Sequence, residues 1–125
     1  VTAGLTLDAG ALIALERRRA RVMQLVLRAT ERRLPTTVPA PVLVEWWRGR
    51  SDLREKILAA VLVEPLHTAL ARSAGEALAA VAGATAIDAI VVASAALRGD
   101  TILTSDPEDL VRLADYFGGV RVLAV

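Results

Sequence analysis

Four acidic residues stand in places where a carboxylate needs a reason. Asp8 follows the short apolar run Leu5-Thr6-Leu7, and Asp106 lies just past the run Thr101 to Thr104. Glu45 and Asp88 sit inside apolar stretches, Val42-Leu43-Val44-Glu45 and Ala86-Ile87-Asp88-Ala89. Burying a carboxylate in such a stretch is unfavourable unless it is paired or bound to a cation. If the four converge, they cannot all stay ionised without compensation. A hard divalent cation supplies that compensation, because Mg²⁺ takes a few carboxylates together with waters and substrate phosphate. The chain has no cysteine and a single histidine, His67, so a soft-metal site lacks ligands. One or two hard ions activate water and stabilise the leaving oxygen in phosphodiester hydrolysis.

Each acid also has a purely local reading. Asp8 can cap a helix beginning near Ala11, and Asp106 before Pro107 makes an N-cap with proline at the first helical position. Thr85-Ala86-Ile87-Asp88 fits a capping box, with Asp where Glu is usual. Glu45 can point outward beside Arg48. Four separate coincidences are a weaker account than one shared site.

The elements that must position these acids follow from hydrophobic period. Short β-branched runs alternate with segments of helical period, which predicts an α/β fold with a mainly parallel central sheet flanked by helices. Strands are expected at Leu5–Leu7, Pro35–Val38, Val61–Pro65, Thr101–Thr104 and Val120–Val125. Helices are expected at Ala11–Glu16, Arg21–Arg33, Val42–Arg48, Leu53–Ala60, Thr68–Val81, Ile87–Leu97 and Pro107–Phe117. In a doubly wound sheet the carboxyl ends of the strands share one edge, where ligands bind. Asp8 and Asp106 would meet there.

Composition sets the remaining bounds. A chain of 125 residues is one domain by length, and residues 1–125 are read as such. Hydrophobic residues make up 54%, which excludes disorder, while aromatics at 3% leave Ala, Val and Leu to fill the core. A net charge of +1 singles out no polyanionic partner. Of 15 basic residues 14 are Arg, which suits phosphate and carboxylate, although a GC-rich coding sequence gives the same bias. The longest uncharged apolar stretch, Ala89 to Leu97, is too short to span a bilayer. The N-terminus lacks the layout of a signal peptide, so no membrane and a cytoplasmic location are the default expectations.

With these residues in place, the sequence resembles the PIN domain, in particular the small stand-alone VapC-type ribonuclease toxins. The matching stretches are Leu7-Asp8 followed by Ala11-Leu12-Ile13-Ala14-Leu15, and Val44-Glu45-Trp46-Trp47-Arg48-Gly49. Ile87-Asp88-Ala89-Ile90-Val91-Val92-Ala93-Ser94-Ala95 and Ile102-Leu103-Thr104-Ser105-Asp106-Pro107-Glu108-Asp109-Leu110 continue the series. In order and spacing they cover nearly the whole chain. The resemblance implies a three-layer PIN-like domain that cleaves RNA with Mg²⁺ or Mn²⁺. Asp8, Glu45, Asp88 and Asp106 match the acidic quartet, Asp109 a further acid some members use, and Thr104 the hydroxyl residue that can hydrogen-bond a metal water. It further implies a cognate antitoxin that covers the site with a basic side chain, and a homodimer. The early helices would form the antitoxin groove, with Leu25 or Trp47 as its exposed apolar contact.

The sequence departs from that pattern after the first acid. Family members often carry Thr or Ser there and another polar residue next, whereas Ala9 and Gly10 follow Asp8 here. This opens a second reading, a PIN-like interaction module with weak or no catalysis. A phosphoryl-acceptor receiver domain would need a Lys at the end of a late strand, and the only Lys is Lys56. Of the other residues, one of Trp46 and Trp47 should be core and the other interfacial. Arg17, Arg18, Arg19 and Arg21 form a cluster that is either a solvated turn or a phosphate-positioning group. His67 should cap or pack.

Overall fold

The computed structural model describes residues 3–125. The chain runs β1 (Leu5–Leu7), α1 (Ala9–Glu16), α2 (Ala20–Glu31), β2 (Thr36–Pro39), α3 (Ala40–Trp46) and α4 (Asp52–Ala60). It continues with β3 (Leu62–Glu64), α5 (Thr68–Ala80), α6 (Ala86–Arg98), β4 (Thr101–Thr104), α7 (Pro107–Tyr116) and β5 (Val122–Ala124). The expected α/β class holds, and the sheet is wholly parallel, in the order β3-β2-β1-β4-β5. Leu5 and Thr6 stand opposite Thr36 and Thr37 on one side, and Thr101 and Ile102 on the other.

From β1 the chain steps outward through β2 to β3, then returns past β1 and steps the other way through β4 to β5. Right-handed crossovers then put α1 to α4 on one face and α5 to α7 on the other, and the contacts among α1, α2, α3 and α4 and among α5, α6 and α7 agree. The reversal makes the gap between β1 and β4 the topological switch point, outside whose carboxyl ends ligands bind in such sheets.

α6 owes its central place to composition. Every residue from Ala89 to Ala95 is buried, so a helix apolar nearly all round lies beneath β1, β2 and β4. Thr85 starts it by accepting the Asp88 N–H at 3.2 Å, and Gly99 ends it in the left-handed region at φ 73°. His67 caps α5, its Nδ1 accepting from the Leu70 N–H at 3.2 Å. That leaves the imidazole proton on Nε2, which faces Glu64 Oε2 at 3.6 Å. With few aromatics, the largest fully buried side chain is Trp46, and its indole N–H donates to Glu16.

The chain enters β1 through a tight crossing. A Cβ at Gly4 would run into the Pro35 carbonyl oxygen, which is already held by the Leu5 N–H at 2.9 Å. Gly4→Ala should therefore lower stability by about 1–3 kcal/mol, measured by urea unfolding. A loss below about 0.5 kcal/mol, the ordinary surface range, would show that the β1–β2 entry yields freely.

Candidate active site at the carboxyl edge of the sheet

Asp8 is delivered to this edge by the parallel strand before it. Its N–H reaches the Leu103 carbonyl at 3.4 Å, and its Oδ1 accepts the Ala11 N–H at 2.9 Å. The capping reading of Asp8 is therefore correct as geometry, and the helix begins at Ala9 rather than Ala11. Its carboxyl is nonetheless held above the ordinary Asp range. Burial is the main cause, and the charges of Asp88 and Glu45 add to it, while the Thr104 hydroxyl and the Ala11 N–H oppose the shift.

Asp88 arrives from the other layer, three residues into α6. It is half-buried, and its carboxyl is likewise pushed up, first by burial and then by Asp109 and Asp106, against the Thr85 hydroxyl. Asp8 thus feels Glu45 and Asp88, and Asp88 feels Asp106 and Asp109. The five acids form one continuous band of repelling charge. Glu45, Asp106 and Asp109 lie on its exposed side.

Within that band the carboxylates do not close on a point: among the described residues, no three metal-capable side chains are grouped tightly enough to hold one ion. The donor chemistry is oxygen alone, which matches a hard cation, and two half-buried carboxyls under mutual repulsion are what a cation relieves. A third ligand beside Asp8 and Asp88 would have to come from an exposed acid, Glu45, Asp106 or Asp109.

Other expectations change in detail. Asp106 makes no side-chain cap to α7. Instead its own N–H donates to the Thr104 hydroxyl at 3.0 Å. Thr104 is fully buried, so it braces Asp106 from within the fold and does not face solvent. Gly10 has a steric reason, since a Cβ there would collide with Ser105 Oγ and lie 3.0 Å from its Cβ. Trp47 and Leu25 are both half-buried. The exposed apolar residues of the early helices are instead Met23, Leu27 and Val44.

Reasoning from sequence missed a polar network between α6 and the sheet. Arg98 pairs with Glu64 at 2.8 Å and Asp100 at 2.9 Å, and donates to the hydroxyls of Thr6 and Ser94, both at 2.9 Å. Ser94 donates to Glu64 at 2.6 Å and Thr6 to Asp100 at 2.9 Å. Glu64 ends a strand just as Asp8 does, so the same edge rule nominates it. Its carboxylate is instead engaged by Arg98 and Ser94.

No protein-family model matches the chain, and no curated protein sequence does. Solved structures do. A chain of the DNA-bound VapBC from Salmonella typhimurium superposes with a TM-score of 0.69 over 98% of both chains at 18% identity. A chain of FitAB bound to the IR36 DNA fragment superposes with a TM-score of 0.63, over 96% of this chain and 94% of that one, at 16% identity. The chain therefore shares the fold of these VapBC and FitAB chains.

Proposed function

We propose that the protein is a divalent-cation-dependent endoribonuclease of the VapC toxin type, neutralised by a cognate antitoxin. The observation that carries this reading is the band of acids at the switch point, with Asp8 and Asp88 both raised by burial and by neighbouring carboxylates. Asp8, Glu45, Asp88 and Asp106 would hold Mg²⁺ or Mn²⁺, with Asp109 at the margin. The cation would supply Lewis-acid activation of water and charge stabilisation at the scissile phosphate. Thr104 holds the Asp106 backbone N–H, and its hydroxyl favours the charged form of Asp8. The chain's contribution is orientation and charge, and no side chain acts as a nucleophile.

An antitoxin would find apolar surface beside the acids. Val44, adjacent to Glu45, is 84% exposed. An amphipathic helix followed by an Arg suits apolar ground next to carboxylates.

The second reading is a PIN-like interaction module without useful catalysis, favoured by the acids not being gathered as they stand and by Ala9-Gly10 after Asp8. The deciding experiment incubates the purified chain with single-stranded RNA in Mg²⁺, Mn²⁺ or EDTA. Fragments that appear with either metal and vanish in EDTA and in Asp8→Asn support the ribonuclease. Intact RNA under all conditions, with the chain folded, supports the module.

A further inference from the structure

A second feature lies beside the same switch point. A cavity of about 400 Å³ opens between α1, the β4–α7 connection and the residue after β5, lined by Gly10, Ile13, Ala14, Arg17, Arg19, Ser105 and Val125. Two of these residues tie it to the acidic edge: Gly10 is two residues past Asp8, and Ser105 directly precedes Asp106. The missing Cβ of Gly10 is what leaves Ser105 Oγ its place on the wall. Arg18 takes the left-handed conformation, φ 52°, in the turn that ends α1, and the residues on either side of it both line the cavity. Neither Arg17 nor Arg19 has an acidic partner among the described residues. Glu16, the nearest acid in the chain, is taken by Arg54 at 3.3 Å and by the Trp46 indole.

Two unpaired guanidinium groups and a hydroxyl around an open cavity form a receptor for a phosphodiester, and guanidinium matches phosphate oxygens in pairs. The like-charged acids next door would repel the same phosphate unless a cation screens them, so the strand has one attractive station on this edge without metal and two with it. We propose that this cavity seats a backbone phosphate of single-stranded RNA next to the one being cleaved, with Arg17 and Arg19 as cationic partners and Ser105 as a hydroxyl donor. The inference rests on the ribonuclease reading for its substrate, and it assigns a positioning role to the arginine cluster.

The test measures binding of a fluorescent single-stranded RNA by anisotropy in EDTA, where cleavage cannot intervene. Arg17→Gln with Arg19→Gln should raise Kd about 10-fold and flatten the salt dependence by about 0.7 for each phosphate left without its arginine. Ser105→Ala should weaken binding by a smaller factor. Arg32→Gln with Arg33→Gln removes the same charge beside Leu34 and Thr36, at the amino edge of the sheet, and should leave Kd within a factor of two. Equal losses in the two double variants would mean that net charge alone acts, and the inference falls. It falls too if the Arg17/Arg19 variant binds like wild type, or if wild type binds no RNA. Binding that depends on Arg17 and Arg19 in a chain that never cleaves would keep the cavity and end the ribonuclease reading. Metal-dependent cleavage with binding indifferent to both arginines would do the reverse.

Discussion

Asp88→Asn should abolish stabilisation by Mg²⁺ or Mn²⁺ and cut RNA cleavage by roughly 100-fold or more, since even groups that only support a metal ligand cost 10- to 100-fold when removed. A cation held by the folded chain alone stabilises it by mass action, about 2.7 kcal/mol at a concentration 100 times Kd. Asp88 links the two halves of the acid band, because its charge bears on Asp8 while those of Asp106 and Asp109 bear on it. Removing its charge should therefore disconnect the band. The same substitution should leave the metal-free protein equally or more stable. Burial and like charge raise the Asp88 carboxyl above 3.8 in the folded state, so its contribution is most favourable below 3.8 and declines as pH rises through the raised value. At neutral pH the charged form opposes folding, and Asn relieves that. Thermal melts with and without metal, from pH 4 to 8 for both proteins, give the measurement. A wild-type melting temperature indifferent to both metals would sink the shared cation site. A metal response that survives in Asp88→Asn would remove Asp88 from it.

The sequence carried the order of elements because strand and helix periods differ and because Asp8, His67, Thr85 and Gly99 are capping residues in capping positions. The edge acids were legible for a related reason, since a carboxylate just after a strand has few neighbours able to pair with it in a parallel sheet. Three features were not legible. The direction of Glu45 depends on a short helix whose last turn is set by Trp46 packing under Glu16, a pairing 30 residues apart. The reason for Gly10 depends on Ser105, brought beside it only by the β1–β4 pairing. The Arg98 network joins β1, β3, α6 and the residue before β4, so no local window contains it. Its one local trace is Ser94 and Arg98 spaced four apart on α6, followed by Asp100.

That network sets the second large effect. Arg98→Met should destabilise the protein by about 3–5 kcal/mol, the range for breaking a buried ion pair from one side. Asp100 has a side chain only 3% exposed, and Arg98 is its cationic partner, while Glu64 at 18% would keep only Ser94 and His67. Met matches the length of the arginine stem, so the loss reads charge and hydrogen bonds more than packing. The pH dependence gives an independent check. Although burial pushes the Glu64 carboxyl upward, the hydrogen bonds from Ser94 and Arg98 and the Arg98 charge outweigh it and hold the carboxyl below 4.5. A lowered folded value means that Glu64 stabilises the fold above 4.5 and loses that contribution as pH falls through the lowered value. In Arg98→Met this acid-side decline should shrink, because the Arg98 hydrogen bond and charge that favoured the carboxylate are gone while Ser94 remains. Urea unfolding of both proteins at pH 7 and at pH 4 measures the two effects together. A loss under about 1 kcal/mol at pH 7, typical of an exposed pair, would show that water already does the work assigned to Arg98.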